Sequence, residues 1–239
     1  MKSSDPKDRI TRIVEKGDHD EELSPLSPPE AHSPPGKGQG VEYADMHPFL
    51  QSLRDEHEQC LEALTLFEET MDKIEADGPG EESDDGLGRF FWVLDRVLLP
   101  HNRREETELF PLLHKRLIDA GEHSLGVRQE TGVNVLQRDH VEFLQISAIM
   151  TNFFRLAPRL PDEKSRNFVL NSALQQGRAL VEDLRLHIFR EDEVMFSLAH
   201  RLISSAELSE MAGAREEDMI EQHVTAASEG SRSCCPTGC

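Results

Sequence analysis

The stretch LPHNRREETELFPLL, residues 99–113, decides how this sequence folds. Its leucines recur at the three- and four-residue steps of a buried helix face, yet His101 and Glu105 occupy that same face. Because an α-helix has about 3.6 residues per turn, side chains four residues apart project from nearly the same side. The stretch therefore predicts a helix that carries an imidazole and a carboxylate into a protein core, where an unpaired carboxylate costs several kcal/mol.

Three further segments repeat this helical pattern, and each also places a histidine among its core-facing apolar residues. The last of them again adds a glutamate four residues after its histidine. The histidines follow one another at nearly equal intervals, as they must if an up-down chain returns to the same level on each pass. The core-facing histidines are His57, His101, His140 and His187, and the two glutamates are Glu105 and Glu191.

The links between these segments are rich in glycine, proline and charge. DGPGEESDDG (77–86), DAGEHSLG (119–126) and APRLPDEK (157–164) are typical of sequences that end helices. Four helices with short links predict an all-α, up-down antiparallel four-helix bundle over residues 46–205. Pro100 and Pro111 lie inside the second helix and predict that it is kinked or divided. A short C-terminal helix is expected at residues 206–223.

The chain outside the bundle has a different composition. Residues 1–45 hold six of the 13 prolines and none of the 11 phenylalanines, so they cannot bury enough surface to offset the entropy of ordering. We expect a disordered proline-rich arm there and a flexible tail at residues 224–239. The tail cysteines, Cys234, Cys235 and Cys239, either bind a soft metal, accept transferred iron or form a redox pair, or are incidental to function.

The composition argues against several classes of partner. A net charge of −20 disfavours contact with nucleic acid or with an anionic membrane surface. No uninterrupted apolar run approaches the roughly 20 residues of a membrane span, and the N-terminal residues MKSSDPKDRI lack the apolar stretch of a secretion signal. Three of the four cysteines crowd near one end, unlike a disulfide framework. The sequence therefore predicts a soluble protein of the reducing cytoplasm.

Two interpretations of the histidine and glutamate pattern are open. The charged surroundings HNRREETE and FREDE allow the pairs to lie on the wet side of their helices, whereas four matched histidines favour one internal metal site. Six nitrogen and oxygen ligands exceed the four of a structural zinc site, and two glutamates can bridge two ions. The ligand count predicts a di-iron centre whose bridge is completed by oxo or hydroxo. The other di-metal bundle motif, Glu-x-x-His on two helices, is absent from these segments.

The motifs DEHEQCLEAL, HNRREETELFPLL, RDHVEFL and HIFREDEVMFSLA resemble those of the hemerythrin-like, or HHE cation-binding, domain across residues 46–205. The resemblance implies a four-helix bundle with a non-haem di-iron site, in which Glu105 and Glu191 are the bridging ligands. The ligand set is more similar to those of the bacterial iron-centre repair proteins, which respond to nitrosative and oxidative stress, and of iron-sensing hemerythrin-like domains. The metal ligands that the resemblance implies are His57, His101, Glu105, His140, His187 and Glu191.

Two positions bear on the comparison with the invertebrate oxygen carriers of this family. Leu144 stands where they have a second histidine on the third helix, so one ion is expected to keep an open or water-filled position. Asp192 stands where they have their last carboxylate. Glu191 repeats the spacing of the second helix and is preferred, and Asp192 is the alternative ligand. The cysteine-bearing N-terminal domain of the repair proteins has no counterpart in the proline-rich arm.

The sequence leads to two classes of function. The first is a metal-binding protein that binds or senses oxygen, nitric oxide, peroxide or iron status and signals to a protein partner through the arm or the tail. The second is an iron donor or repair protein, or a di-iron reductase or peroxidase, that acts under oxidative or nitrosative stress. Because no acid–base pair is visible beyond the predicted ligands, binding or sensing is favoured over catalysis.

Overall fold

The computed structural model describes residues 40–213 of the chain. The arm up to residue 39 and the tail cysteines lie outside those residues, so the predictions for them stay predictions. A 3-10 turn, Tyr43–Asp45, precedes the first bundle helix, α1, Pro48–Asp77. His47 caps α1, because its Nδ1 accepts a hydrogen bond from the Phe49 N–H at 3.2 Å. Gly78 ends the helix with a positive φ of 83°, which favours glycine.

The second bundle helix is built from three α-helical pieces and two π-helical turns. Pro100 and Pro111 each stand second after a π-helical turn. A proline lacks an N–H and its ring collides with the carbonyl four residues back, and a wider turn ahead of it relieves the collision. The helix therefore continues through both prolines and is not divided. Its parts are α2 (Glu81–Val93), the π-helical turn Leu94–Leu98, α3 (Leu99–Arg104), the π-helical turn Glu105–Leu109 and α4 (Phe110–Asp119).

The third bundle helix is α5, Gly132–Leu156. The fourth starts as α6, Glu163–Arg190, passes through a π-helical turn at Glu191–Met195 and ends as α7, Phe196–Leu202. The first bundle helix packs against the second and the fourth, and the third packs against the same two. This closed arrangement with short links confirms the predicted all-α, up-down antiparallel four-helix bundle.

The ends of the described chain add short segments to the bundle. Residues 205–213 are helical, and Leu208 is buried in the core. The short C-terminal helix over residues 206–223 stays a prediction. Residues 40–45, which were assigned to the arm, contact the fourth bundle helix, where the Val41 N–H donates to Ser197 Oγ at 2.9 Å. Between residues 40 and 213, no helix has the length and apolar character that crossing a membrane would require.

The core of the bundle consists of two apolar clusters with a polar layer between them. On every bundle helix, the predicted histidine lies in sequence between residues of one cluster and residues of the other. The polar side chains are therefore gathered at one level of the bundle. The first cluster includes Leu53, Leu109, Leu136 and Phe196, and the second includes Leu64, Leu98, Phe143 and Leu184.

Candidate metal centre

The six side chains predicted as ligands meet in the polar layer, and all of them are buried. Glu105 and Glu191 have no measurable exposure, and no histidine of the set is more than 4% exposed. The alternative, in which the pairs lie on the wet side of their helices, is therefore wrong. The side chains form two overlapping groups whose ligand atoms lie within 4.8 Å of one another: His57, His101 and Glu191, and Glu105, His140, His187 and Glu191.

The four histidines form two pairs whose Nε2 atoms face each other across the interior. His57 Nε2 and His101 Nε2 are 3.0 Å apart, and His140 Nε2 and His187 Nε2 are 3.1 Å apart. Two ligand atoms that each lie about 2.1 Å from one ion, at right angles, are about 3.0 Å from each other. The spacing of each pair therefore suits one metal ion.

The two glutamates lie between the histidine pairs. Glu191 Oε2 is 3.2 Å from His57 Nε2 and its Oε1 is 3.1 Å from His187 Nε2, so one oxygen faces each pair. Glu105 Oε2 lies 3.4 Å from His101 Nε2 and 3.5 Å from His140 Nε2.

All four oxygens of Glu105 and Glu191 are buried, and none receives a hydrogen bond of acceptable geometry. Buried carboxylate oxygens without donors are costly unless a cation neutralises them. The donor set therefore fits a pair of metal ions with the two carboxylates between them.

A ring of carboxylates holds the outward nitrogens of the histidines. Each Nδ1 lies close to a carboxylate oxygen from the preceding bundle helix, and the first helix receives its carboxylate from the fourth. A proton on Nδ1 is thereby directed outward, which leaves Nε2 free to face the interior. The four contacts of this carboxylate ring are Glu56 Oε2 to His101 at 3.0 Å, Glu106 Oε1 to His140 at 3.0 Å, Asp139 Oδ2 to His187 at 3.2 Å and Asp192 Oδ1 to His57 at 2.8 Å.

The comparisons with known proteins agree with this geometry. The family model described as the hemerythrin HHE cation binding domain matches residues 48–199. The chain belongs to the hemerythrin family. The predicted resemblance to the HHE domain is confirmed, and the fold and the metal-binding character that it implied hold for this hemerythrin domain.

The hemerythrin domain is also similar in sequence to a curated protein of described function. The chain is 23% identical over 151 residues to the iron-sulfur cluster repair protein YtfE of Cronobacter sakazakii (strain ATCC BAA-894). The match covers 63% of this chain and 62% of that protein, so the chain spans less than two thirds of its relative's length. No solved structure shows a significant match to the chain.

The two glutamates of the hemerythrin domain stand at the start of π-helical turns. The turns begin at Glu105 and at Glu191. Core residues follow Glu105 in steps of four, at Leu109 and Leu113, and each such step overshoots an α-helical turn by about 40°. A π-helical turn takes up this excess because its hydrogen bonds span five residues, as from the Phe110 N–H to the Glu105 carbonyl. The glutamate and the core residues after it can therefore point to the same interior.

Aromatic rings pack against three of the four imidazoles. Two of the contacts are nearly parallel stacks, and the third meets the imidazole edge-on. Such rings fix the imidazole planes by packing. The contacts, given as ring-centroid distances, are Phe196 with His57 at 5.4 Å, Phe110 with His140 at 5.6 Å and Phe143 with His187 at 5.0 Å.

In the absence of metal ions, the buried carboxylates favour the protonated forms of two of the histidines. Burial lowers the pKa of His57, but Asp192 and Glu191 outweigh it and raise that pKa to about 10. At His187 burial is likewise outweighed, by Glu191 and Asp139, and the pKa rises to about 9. Burial raises the pKa of Glu191, but His187 and His57 outweigh it and hold that pKa well below its usual range. A metal ion must displace these protons in order to bind.

Three further residues close to the predicted ligands in the sequence have different surroundings. Asp192 faces the outward nitrogen of His57, whereas Glu191 faces the inward one, so the two acidic neighbours have different places. Leu144 is 51% exposed. Cys60 is buried, and burial raises the pKa of its thiol to about 12, so the thiol is neutral at physiological pH.

Sequence reasoning missed the carboxylate ring and the π-helical turns. Both had a signal. Every predicted ligand segment carries an acidic residue directly beside a ligand, and the core stripe after Glu105 advances in steps of four. The four acidic neighbours are Glu56 before His57, Glu106 after Glu105, Asp139 before His140 and Asp192 after Glu191.

Proposed function

We propose that this hemerythrin domain holds two iron ions and uses them to bind or sense oxygen, nitric oxide, peroxide or iron status in the cytoplasm. The observation that carries the proposal is that two buried carboxylates, whose oxygens receive no hydrogen bond of acceptable geometry, lie between two histidine pairs. When bound, the two ions would supply reversible redox chemistry toward such small ligands.

One ion would be held by His57, His101 and Glu191, and the other by Glu105, His140, His187 and Glu191. One pair is His57 with His101, and the other is His140 with His187. Because three or four protein ligands are fewer than the six that such an ion can accept, solvent and a small external ligand could also bind there. Glu191 is assigned as a ligand in preference to Asp192, because Asp192 faces the outward side of His57.

A second candidate function is iron donation or repair under oxidative or nitrosative stress. It is favoured by the similarity to the iron-sulfur cluster repair protein of Cronobacter sakazakii. In this alternative, the same centre releases iron or reduces nitric oxide or peroxide repeatedly. The two candidates differ in turnover and share the metal site.

The metal site is tested by loading the full chain with ferrous iron without oxygen and then measuring iron content and the optical spectrum after oxidation. We expect two iron ions per chain and a near-ultraviolet charge-transfer band. His101→Ala should lower the iron content, whereas His123→Ala, in the link after the second bundle helix, should leave it unchanged. A colourless protein, or one whose iron content is the same in both variants, would refute the proposal.

The two candidate functions are separated by stopped-flow mixing of the reduced, iron-loaded protein with oxygen, nitric oxide or peroxide. A stable adduct that forms once per centre supports binding or sensing. Consumption of many equivalents of the small molecule in the presence of a reductant supports the alternative. Transfer of iron to an added apo iron–sulfur protein would support donation in particular.

A further inference from the structure

The carboxylate ring is supported by an outer layer of side chains that is regular except at one place. Three carboxylates of the ring are paired with an arginine, and the fourth is paired with a neutral amide. The contacts are Arg104 Nη2 to Glu56, Arg190 Nη1 to Asp139 at 3.1 Å, Arg54 Nε to Asp192 at 3.6 Å and Gln137 Nε2 to Glu106 Oε2 at 2.8 Å.

The neutral residue of this outer layer, Gln137, has an arginine as its counterpart on another bundle helix. Gln137 stands three residues before His140 on the third bundle helix, just as Arg54 stands three residues before His57 on the first. Within residues 40–213, the Glu106 carboxylate pairs with His140 and Gln137 and with no arginine or lysine. The negative charge of Glu106 is therefore the one in the ring that no cationic side chain offsets.

This charge acts on one half of the centre. Glu106 Oε1 lies 3.0 Å from His140 Nδ1, and a carboxylate at that nitrogen makes the imidazole a stronger electron donor to a metal on Nε2. Where an arginine shares the carboxylate, part of that effect is cancelled. The Glu106 side chain is 34% exposed, so water screens some of its charge, but the direction of the effect is unchanged.

We propose that Glu106 and Gln137 make the two irons unequal, so that the ion on His140 and His187 is oxidised before the ion on His57 and His101. Glu106 and Gln137 are positioning residues that act through His140. The uncompensated charge stabilises the ferric state of the nearer ion over its ferrous state. This inference rests on the proposed di-iron site and adds which ion gives up the first electron.

The test exchanges the two matching residues in the full, iron-loaded chain. A redox titration followed by the optical spectrum measures the midpoint potentials of the first and second oxidation. Gln137→Arg should raise the first midpoint and lower the ratio of ferric to ferrous affinity at that ion by about tenfold. Arg54→Gln should leave the first midpoint in place and lower the second. Both substitutions should therefore reduce the difference between the two midpoint potentials, the first by raising the lower potential and the second by lowering the higher one.

Glu106→Gln tests the effect of the Glu106 charge independently, in case the larger arginine at position 137 disturbs the fold. It removes the charge at constant size and should also raise the first midpoint. Gln137→Leu removes the amide contact without adding charge, and should not raise that midpoint. Iron content and melting temperature are measured for every variant.

The outcomes separate the two claims. An unchanged or lowered first midpoint in both Gln137→Arg and Glu106→Gln, with two irons still bound, overturns this inference and leaves the proposed function intact. A wild-type chain that binds no pair of irons overturns the proposed function and this inference with it.

Discussion

Glu191 and Asp192 are neighbours in the sequence and face opposite edges of the same imidazole. Glu191 Oε2 lies 3.2 Å from His57 Nε2, and Asp192 Oδ1 lies 2.8 Å from His57 Nδ1. One residue can therefore hold a cation while the next orients the ring that holds it. We therefore propose different roles for these two acids, which the sequence alone left as alternative ligands.

This difference of role predicts unequal effects of two similar substitutions. Glu191→Gln removes the charge shared by both ions, and we expect it to abolish binding of the iron pair. Asp192→Asn weakens only the support of His57, and we expect iron affinity to fall by about 10- to 100-fold. Equilibrium competition with a coloured chelator measures both. Glu82→Gln, on an exposed surface, is the control and should bind like the wild type.

The raised pKa values of His57 and His187 predict proton release on metal loading. At pH 7.5 both rings are protonated in the metal-free fold, since their pKa values are about 10 and 9. A metal on Nε2 needs the neutral ring, so loading should release about two protons per chain into a weakly buffered solution. Metal affinity should rise with pH up to about pH 10. Loading without measurable proton release would contradict the assignment.

The same two groups set a pH limit on the metal-free fold. Their pKa values are higher in the folded chain than the usual 6.5, so the protonated rings contribute stability that is fully present below about pH 6.5. That contribution is lost as the pH rises through about 9 to 10. Metal-free protein should therefore melt at a lower temperature at pH 10.5 than at pH 7.5.

At the scale of helices, the contact between the first and second bundle helices depends on Gly86. A Cβ at this position would lie 2.1 Å from Thr70 Oγ1 and 2.8 Å from Thr70 Cγ2, and Thr70 is itself buried. Gly88 lies on the same helix with nothing within 4 Å of its hypothetical Cβ. The two glycines thus form a matched pair for one experiment.

We expect Gly86→Ala to destabilise the chain by about 1–3 kcal/mol through overpacking. Gly88→Ala should be neutral or stabilising by up to about 1 kcal/mol, because alanine favours the helix where space is free. Urea unfolding followed by circular dichroism measures both values. Equal effects of the two substitutions would mean that Gly86 is not a contact point.

The helices show how far the sequence could predict the structure. Steps of three and four identified all four bundle helices, and the histidine within each stripe indicated their common level. The π-helical turns escaped because a step of four at Glu105 and Leu109 is compatible with an ordinary α-helix unless the drift is summed over several turns. The partners of Glu56 and Glu106 could not be assigned, because pairing between helices depends on their order around the bundle, which periodicity within one helix does not reveal.

At the scale of the whole molecule, the polar layer divides the core into two apolar clusters. Without cations, that layer holds carboxylates and imidazoles that water does not reach, at a cost to stability. On the proposed function, bound iron would replace this cost with metal–ligand bonds, and we expect it to stabilise the packing of both clusters.

Removal of metal should therefore lower the melting temperature of the whole domain. A ligand at 100 times its dissociation constant stabilises a fold by about 2.7 kcal/mol per site. We expect a clear fall in melting temperature when the iron-loaded chain is stripped by a chelator and dialysed. His101→Ala, with its impaired site, should show a much smaller change. The same loss in both proteins would mean that the chelator acts elsewhere.

The carboxylate ring passes from each bundle helix to the next and returns from the fourth to the first. The outward nitrogen of each imidazole therefore faces a carboxylate from a neighbouring bundle helix and not from its own. A shift of one bundle helix would therefore also change the orientation of the imidazole on the next helix. A two-helix half of the bundle would leave one of its imidazoles without its carboxylate, so we expect metal binding to require all four bundle helices.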